Sequence, residues 1–245
     1  MKSSFLLLSC LVILSAGLAS NLNAQNVPKA RIPAVPKAIP GPPTADSILE
    51  DVRRSRAVKD RDLAGTLTKG NTEVPFVVSL KAEYIRFTFK NPAQILHLEF
   101  KQNGSELREV TAGSNKSVPP ARYAEGIRGT DLSYDDIFMR YLYWQKKTLQ
   151  PIQESRKSRK CYVIDLSAPS RVGEYGVVRI FTDKESGGLL RVMCYDWQGK
   201  LIKVLSVTSG MKVEGATCLK SMDVIRYDPN TKKVLGETTF ELQKP

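Results

Sequence analysis

The sequence predicts a mainly β (α+β) fold in which one antiparallel sheet carries most of the chain. Three observations favour this class. From residue 62 onward, apolar and polar residues alternate with a period of two, as in strands that bury one face. The connections between these runs are short and rich in Gly, Asn, Asp and Pro, which favours hairpins. Only two segments show the helical spacing of apolar residues.

Two early runs show the alternation most clearly. In YIRFTFK (residues 84–90) and ILHLEF (residues 95–100), apolar side chains alternate with polar or charged ones. The predicted inward positions are Ile85, Phe87, Phe89, Leu96, Leu98 and Phe100. We expect about five strands before residue 129 and about six after it. The later candidates lie near 159–167, 175–183, 189–197, 201–208, 216–227 and 233–242. A meander of about eleven strands should curl, and its inner face must then be filled.

The chain divides into three predicted regions. Residues 1–24 combine a cation at Lys2 with an apolar run and a small-residue end, the layout of a cleaved secretory signal peptide. Residues 25–43 form a proline-rich basic tether, and residues 44–245 form a single β-rich domain. No later segment has the roughly 18 uninterrupted apolar residues of a membrane-spanning helix. We therefore expect a soluble, exported protein.

The formal net charge of +12 favours anionic partners without selecting among them. An exported protein meets anionic membrane surfaces more often than nucleic acid, so we expect transient membrane contact and no nucleic-acid partner. The tether holds six prolines and three cations between residues 27 and 43. It is a spacer from the membrane, an arm for acidic surfaces or an inert linker. The run RKSRK (residues 156–160) is either a charged strand edge or a contact for anionic head groups.

Three cysteines follow the predicted signal peptide: Cys161, Cys194 and Cys218. Each lies in an apolar, strand-like context, and the predicted strand order places one whole strand between each and the next. That separation is about twice the ~4.8 Å spacing of neighbouring strands. A disulfide requires Cα atoms about 4.4 to 6.8 Å apart. We therefore expect free, buried thiols.

The two predicted helices are 44–58 and one that begins at Ser133 within GTDLSYDDIFMRYLYW (residues 129–144). Ser133 is placed to cap a helix, and Asp135 and Asp136 complement the positive helix start. The apolar face of this helix comprises Tyr134, Ile137, Phe138, Tyr141 and Leu142. We expect this face to lie over the concave side of the sheet as core packing, as a lid over a ligand groove, or as both. Asp131 precedes the helix and is the acid with most room for a specific role.

The sequence carries few signals of catalysis. His97 is the single histidine, it lies on the polar side of a predicted strand, and it has no neighbours at metal-ligand spacing. Neither a nucleophile-elbow sequence nor a phosphate-binding glycine loop is present. We expect a protein that is not an enzyme and binds no metal or cofactor. A hydrolase of envelope polymers would require Asp131 and a second carboxylate to face one cleft.

Several segments resemble the outer-membrane lipoprotein-sorting proteins of the LolA-like superfamily. They are PFVVSLKAEYIRFTFKNP, GTDLSYDDIFMRYLYW, the region from Cys161 to YGVV at 175–178, and DKESGGLLRVMCYDWQGKLIKV. The resemblance covers residues 60 to 243 and implies a half-open antiparallel β-barrel, lined with apolar side chains and covered by helices. It also implies a periplasmic protein that shields lipoprotein acyl chains or senses mislocalised lipoproteins. Arg86 is a positional candidate for the head-group contact that such carriers make.

These observations together predict a lipid or lipoprotein binding protein. Its acyl-chain contacts would be the inward residues of the two early runs and the aromatic helix face, with Arg86 and Asp131 as polar contacts. A carrier must release its ligand, so we expect a movable cover with Gly126 and Gly129 as its flexible approach. We expect a monomer whose further partners are envelope donor or acceptor proteins. The alternative is an envelope sensor or protein-interaction module with a filled interior.

Overall fold

One antiparallel sheet of fourteen strands contains most of the residues that the structure describes. The structure is a computed structural model and describes residues 42–55, 61–101, 104–213 and 216–244. The predicted signal peptide and most of the predicted tether lie outside the described residues. Within the described part, no helix combines the length and the apolar character needed to cross a membrane.

The α-helices are α1 (Ala45–Ser55) and α2 (Tyr134–Phe138), and short 3₁₀ helices cover Pro120–Arg122, Ile127–Gly129 and Arg140–Tyr143. The strands before α2 are β1 (Arg61–Lys69), β2 (Thr72–Leu80), β3 (Tyr84–Phe89), β4 (Gln94–Lys101), β5 (Gly104–Thr111) and β6 (Ser114–Ser117). The strands after it are β7 (Lys146–Leu149), β8 (Glu154–Arg156), β9 (Arg159–Ser167), β10 (Val177–Asp183), β11 (Leu189–Tyr195), β12 (Leu201–Val213), β13 (Ala216–Tyr227) and β14 (Val234–Leu242).

The strand order is β6-β5-β4-β3-β2-β1-β14-β13-β12-β11-β10-β9-β7, with β8 paired to β9. Strands β1 and β14 join the two halves of the chain, pairing Leu67 with Phe240. The two ends of this order, β6 and β7, do not pair with each other, so the sheet is not closed. The mainly antiparallel β prediction is therefore confirmed.

The predicted number of about eleven strands is too low, because the described sheet has fourteen. Three of the observed strands, β6, β7 and β8, have only three or four residues each. They contain mostly Ser, Lys, Glu, Arg and Asn, so they show no apolar alternation. Such strands form because a longer neighbour offers unpaired backbone groups, which is a tertiary effect. The six later strands lie close to their predicted positions.

The concave face of the sheet packs against the segment between β6 and β7. We call residues 118–144 the covering segment. Its 3₁₀ helix Arg140–Tyr143 contacts both β5 and β9, which lie near opposite ends of the strand order. The sheet is therefore curled around this segment. One continuous apolar core includes the inner face of the sheet, the covering segment and α1.

Helix α1 is capped by Thr44, whose Oγ1 accepts a hydrogen bond from the backbone N–H of Ser47 at 3.2 Å. Thr44 N–H in turn donates to Ser47 Oγ at 3.0 Å, so the reciprocal box begins at Thr44. Glu50 takes no part in this box and pairs with Arg54 one turn later. The apolar side chains Ile48, Leu49 and Val52 of this helix are buried. The predicted extension to residue 58 runs beyond the described part of this helix.

The helix predicted to begin at Ser133 starts there but has only five residues. Met139 follows with φ +47°, and the chain continues as the 3₁₀ helix Arg140–Tyr143. A non-glycine residue in this left-handed conformation ends an α-helix. Met139 changes the direction of the chain, so the predicted straight helix is replaced by two short helices. Apolar side chains of both helices pack on the core.

Candidate functional site: the covered concave face

The predicted inward residues of β3 and β4 do share one face. Ile85 pairs with Leu98, and Phe87 pairs with Leu96, across the two strands. Ile85, Phe89, Leu96 and Leu98 are buried, whereas Phe87 and Phe100 are half-buried at the margin of the core.

An aromatic group extends this face toward β2 and β14. Phe76 is in ring contact with Phe87, Phe89 and Phe240, with centroids 5.2 to 6.0 Å apart. Such tilted pairs add to the free energy of simple burial. The concave face is thus strongly apolar, as the alternation predicts.

The covering segment begins its α-helix with a complete capping box. Ser133 Oγ accepts a hydrogen bond from the backbone N–H of Asp136, and Asp136 Oδ2 accepts from the backbone N–H of Ser133 at 2.8 Å. The predicted cap is therefore confirmed.

Asp136 also has a second partner that the sequence analysis missed. Lys203 Nζ lies 2.7 Å from Asp136 Oδ2 and 3.1 Å from Ser133 Oγ. The Tyr175 hydroxyl donates to Asp136 Oδ1 at 2.6 Å. Only 2 % of the Lys203 side chain and 1 % of the Asp136 side chain are exposed. Burial, followed by the negative charge of Asp136, raises the pKa of Tyr175 well above its usual range. This buried network fixes α2 to β12.

Asp135 forms a second anchor. Arg140 holds it with two hydrogen bonds, Nε to Oδ1 at 2.6 Å and Nη2 to Oδ2 at 2.9 Å, and also donates to the Val172 carbonyl. Burial raises the pKa of Asp135, while the hydrogen bonds and charge of Arg140 oppose that shift. The Arg140 guanidinium lies 5.0 Å from the Tyr123 ring centroid. This cation–π contact links the two ends of the covering segment to each other.

Asp131 forms a third anchor, to β1 and β14. Its Oδ1 lies 3.0 Å from Lys69 Nζ, and its Oδ2 accepts a hydrogen bond from Thr238 Oγ1 at 3.0 Å. Asp131 N–H donates to the same Thr238 hydroxyl at 2.9 Å. Gly236 makes room for this carboxylate, because a Cβ at that position would lie 2.6 Å from Asp131 Oδ1. The side chain is buried among protein partners.

The hydrolase hypothesis required two of these carboxylates to face one cleft. The structure instead gives each of the three a different cation: Lys69 for Asp131, Arg140 for Asp135 and Lys203 for Asp136. These ion pairs hold the covering segment in place.

Gly126 and Gly129 each have a local conformational role. Gly126 forms an isolated antiparallel bridge with Ser133. A Cβ on Gly126 would lie 2.1 Å from the Thr130 carbonyl oxygen, so this glycine permits a close backbone approach. Gly129 has φ +75° with open space around it. Together with the three anchors, these features hold the covering segment in one position.

The interior between the sheet and the covering segment is filled in this conformation. Leu96 and Leu98 are 0 % exposed, so no space as large as a water molecule adjoins either side chain. Ile137, Tyr141 and Leu142 of the covering segment are also buried in the same core. Phe138 is half-buried, and its ring meets that of Tyr123 edge-on at 5.4 Å.

Arg86 lies on the opposite face of β3 from Ile85 and Phe87, as the alternation requires. Its Nε donates a hydrogen bond to His97 Nδ1 at 3.4 Å, and its guanidinium lies 5.0 Å from the Tyr84 ring centroid. Burial and the charge of Arg86 lower the pKa of His97. The structure therefore brings together the predicted apolar contacts but places both predicted polar contacts elsewhere.

Two surface cavities lie away from these apolar residues. One, of about 300 Å³, is lined by Glu174, Asp196, Ile202, Lys203, Arg226, Tyr227, Pro229 and Leu235. Burial raises the pKa of Glu174 in this cavity, and the charges of Lys203 and Arg226 oppose the shift. The other, of about 480 Å³, lies between α1 and the β10–β11 turn. Neither cavity is lined by the predicted acyl-chain contacts.

The curled open sheet with its covering segment is the fold of LolA-like proteins. A putative outer-membrane lipoprotein-sorting protein domain from Vibrio parahaemolyticus superposes with a TM-score of 0.64 at 14% identity, over 82% of this chain and 92% of that one. A DUF1329 family protein from Desulfovibrio piger superposes with a TM-score of 0.60 at 15% identity, over 82% of this chain and 90% of that one. A LolA superfamily protein from Nitrosomonas europaea superposes with a TM-score of 0.59 at 14% identity, over 83% of this chain and 93% of that one.

In sequence, a family model described as "Uncharacterized protein" matches residues 112–244, more than half of the chain. The chain belongs to that family. The match contains the whole covering segment and all strands from β6 to β14. No curated protein matches the chain in sequence.

Proposed function

We propose that this protein is a periplasmic, non-enzymatic binding protein that shelters the acyl chains of a lipid or lipoprotein. Sorting of lipoproteins to the outer membrane is the process in which we place it. The observation that carries the proposal is the apolar concave face, closed by a single segment, on a fold shared with a lipoprotein-sorting domain. Each methylene that leaves water for such a surface contributes about 0.8 kcal/mol.

Ligand entry on this proposal requires the covering segment to move, because the interior is filled. Four half-buried aromatic residues at the core margin keep contact with solvent and are the expected first contacts for an acyl chain: Phe87, Phe100, Tyr123 and Phe138. Their half-exposed rings offer apolar surface without prior unfolding. The buried predicted contacts, such as Leu96 and Leu142, would meet the ligand only after the segment has shifted.

The test is uptake of a fluorescent fatty acid by the mature protein, compared with a variant whose covering segment is loosened. Ser133→Ala removes the cap hydroxyl and its bond to Lys203, and loss of a cap costs about 1 kcal/mol. Thr208→Ala is the matched control, because it removes a hydroxyl that bonds Ser221 Oγ at 2.7 Å within the sheet. We expect Ser133→Ala to take up the probe faster at unchanged stoichiometry, and Thr208→Ala to behave as the wild type.

The filled interior favours a second candidate function, an envelope sensor or protein-interaction module. On this view the concave residues are core packing, and donor or acceptor proteins bind the outer surface. Absence of uptake by both the wild type and Ser133→Ala would overturn the carrier proposal and favour this one. Lipid extraction from the protein purified from its own periplasm gives an independent readout, because a carrier should retain acylated species.

Export is part of the proposal and has its own test. Residues 1–24 have the layout of a signal peptide, so N-terminal sequencing of the cell-purified protein should begin near Gln25. An intact N-terminus on protein recovered from the cytoplasm would contradict the periplasmic placement.

A further inference from the structure

The convex face of the sheet carries a small apolar cluster separate from the main core. Its buried members are Cys161, Val163 and Phe181, with Leu190 and Met193 packed against them. The residues that alternate with them, including Ile164 and Ile180, belong to the main core on the other face.

Two arginines flank Phe181 on this convex face. The two-residue turn at Lys157 and Ser158, both with positive φ, folds β8 back onto β9 and brings in Arg156. The Arg156 Cζ lies 4.8 Å from the Phe181 ring centroid. Arg191 is the direct cross-strand partner of Phe181 between β10 and β11. The Phe181 ring therefore lies beside the Arg156 guanidinium, and Arg191 extends from the neighbouring strand on the same face.

These two guanidiniums are incompletely paired. The Nε atoms of Arg156 and Arg191 are buried without a hydrogen-bond partner. Arg156 Nη2 has Glu154 Oε2 at 3.3 Å, whereas no carboxylate in the described part of the chain forms an ion pair with Arg191. Burial and the charge of Arg156 lower the pKa of Arg191.

Two other arginines nearby show what complete pairing looks like. On the same face, Arg179 donates to both oxygens of Asp165, at 2.6 and 2.8 Å. Within the basic run, Arg159 donates to Asp183 at 2.8 and 2.6 Å. The unsatisfied donors of Arg156 and Arg191 are thus a local feature and not a general property of this basic surface.

We propose that Arg156 and Arg191 form a binding site for a phosphate-type oxyanion on the convex face. The edge formed by Nε–H and Nη–H is the part of a guanidinium that binds an oxyanion with two parallel hydrogen bonds. Because both Nε atoms are covered, the two groups must turn about their last side-chain bonds to present that edge. A bound dianion would satisfy both buried donors and offset the repulsion between the two cations.

The site is independent of the proposed acyl-chain function, because it lies on the other face of the sheet. The same phosphate chemistry occurs in free phosphate esters and in phospholipid head groups. The neighbouring side chains of Met193 and Leu190 are only partly buried and offer apolar surface next to the charge, which suits a head group whose glycerol and chains lie alongside.

The direct test follows the arginine Nε–H resonances of the ¹⁵N-labelled mature protein by NMR during titration with inorganic phosphate. We expect the Arg156 and Arg191 signals to shift together to saturation with one shared dissociation constant. The Arg179 signal is the internal control and should stay in place, because its Nε already donates to Asp165. Unshifted Arg156 and Arg191 signals, or shifts that grow linearly with ionic strength alone, would overturn the proposal.

Variants give a second readout. Arg156→Gln and Arg191→Gln should each abolish the saturable phosphate response and the phosphate-induced rise in Tm. Lys116→Gln removes the same charge from an exposed position on β6 and should retain both. Loss of the response in Lys116→Gln as well would reveal a general charge effect and refute the site.

Vesicles then distinguish the two sources of phosphate chemistry. Binding to phosphatidylglycerol vesicles, weakened at least tenfold in Arg191→Gln and competed by inorganic phosphate, would identify a lipid head group. A saturable phosphate response without vesicle binding would identify a soluble phosphate ester at the same two arginines.

Discussion

The sharpest prediction concerns the buried ion pair between Lys203 and Asp136. Lys203→Met keeps the side-chain length but removes the charge, so Asp136 stays buried with only the Ser133 and Tyr175 hydroxyls and a backbone N–H as partners. Removing one partner of a buried pair typically costs about 3 to 5 kcal/mol. We expect a loss of that size in the free energy of unfolding, because both side chains are at most 2 % exposed.

Urea unfolding of the purified mature protein, followed by tryptophan fluorescence, measures this loss. The double variant Lys203→Met with Asp136→Asn should recover most of the stability, since no uncompensated charge remains buried. Lys220→Met is the matched control, because its partner Glu241 is 3.6 Å away and both side chains are about half exposed. It should cost less than about 1 kcal/mol. A loss below about 1 kcal/mol for Lys203→Met, equal to this control, would refute the assignment of a buried anchor.

Three further predictions concern backbone, acid stability and thiols. Gly126→Ala should lower Tm by several degrees in a thermal scan, because its Cβ would collide with the Thr130 carbonyl. Burial acts to raise the pKa of Asp183, but hydrogen bonds from Arg159 and Ser186 outweigh it and hold the pKa at about 2. This stability is present above the usual carboxyl range and is lost as pH falls toward 2, so the Tm deficit of Arg159→Gln should shrink between about pH 5 and pH 2. Burial raises the pKa of Cys194 well above its usual range, so a thiol reagent should label it at pH 8 only after unfolding.

Period-two alternation predicted the parts of the fold that burial controls. Leu96 and Leu98 are completely buried, and the strands from β9 to β14 lie within a few residues of their predicted positions, apart from the C-terminal end of β12. The cysteines are also as predicted: Cys161, Cys194 and Cys218 are buried thiols on alternate strands of the sheet.

The anchors of the covering segment could be predicted only in part. Local chemistry identified the cap at Ser133, because a cap depends on residues three positions apart. Lys203 was missed, although it alternates with Leu201 and Leu205 in LIKVL, the otherwise apolar start of β12. A lysine in an inward register is a signal of a buried anion. The partner of Lys203, which is Asp136, however, lies 67 residues away along the chain. Sequence spacing gives no information about a contact at that range.

The anchors and the apolar contacts of the covering segment contribute to closure in different ways. A mutation that removes Lys203 leaves a buried charge, but opening the segment would hydrate both members of the pair, so the pair adds little net free energy to closure. The pair instead specifies where the covering segment lies on the sheet. Closure itself depends on apolar burial, and Tyr134, Ile137, Tyr141 and Leu142 together contribute about 6 to 12 kcal/mol.

An acyl chain of about sixteen carbons gains roughly 12 kcal/mol when it leaves water. The two amounts are similar, so a ligand that displaced the whole apolar face of the covering segment would bind weakly. Strong binding therefore requires this face to pack again on the bound chain. Rigid anchoring of the residues from Asp131 to Asp136 makes such repacking cooperative, because the two ion pairs that join them to the sheet, with Lys69 and Lys203, must open together. A carrier built in this way would hold its ligand in one closed state and release it when the anchors open.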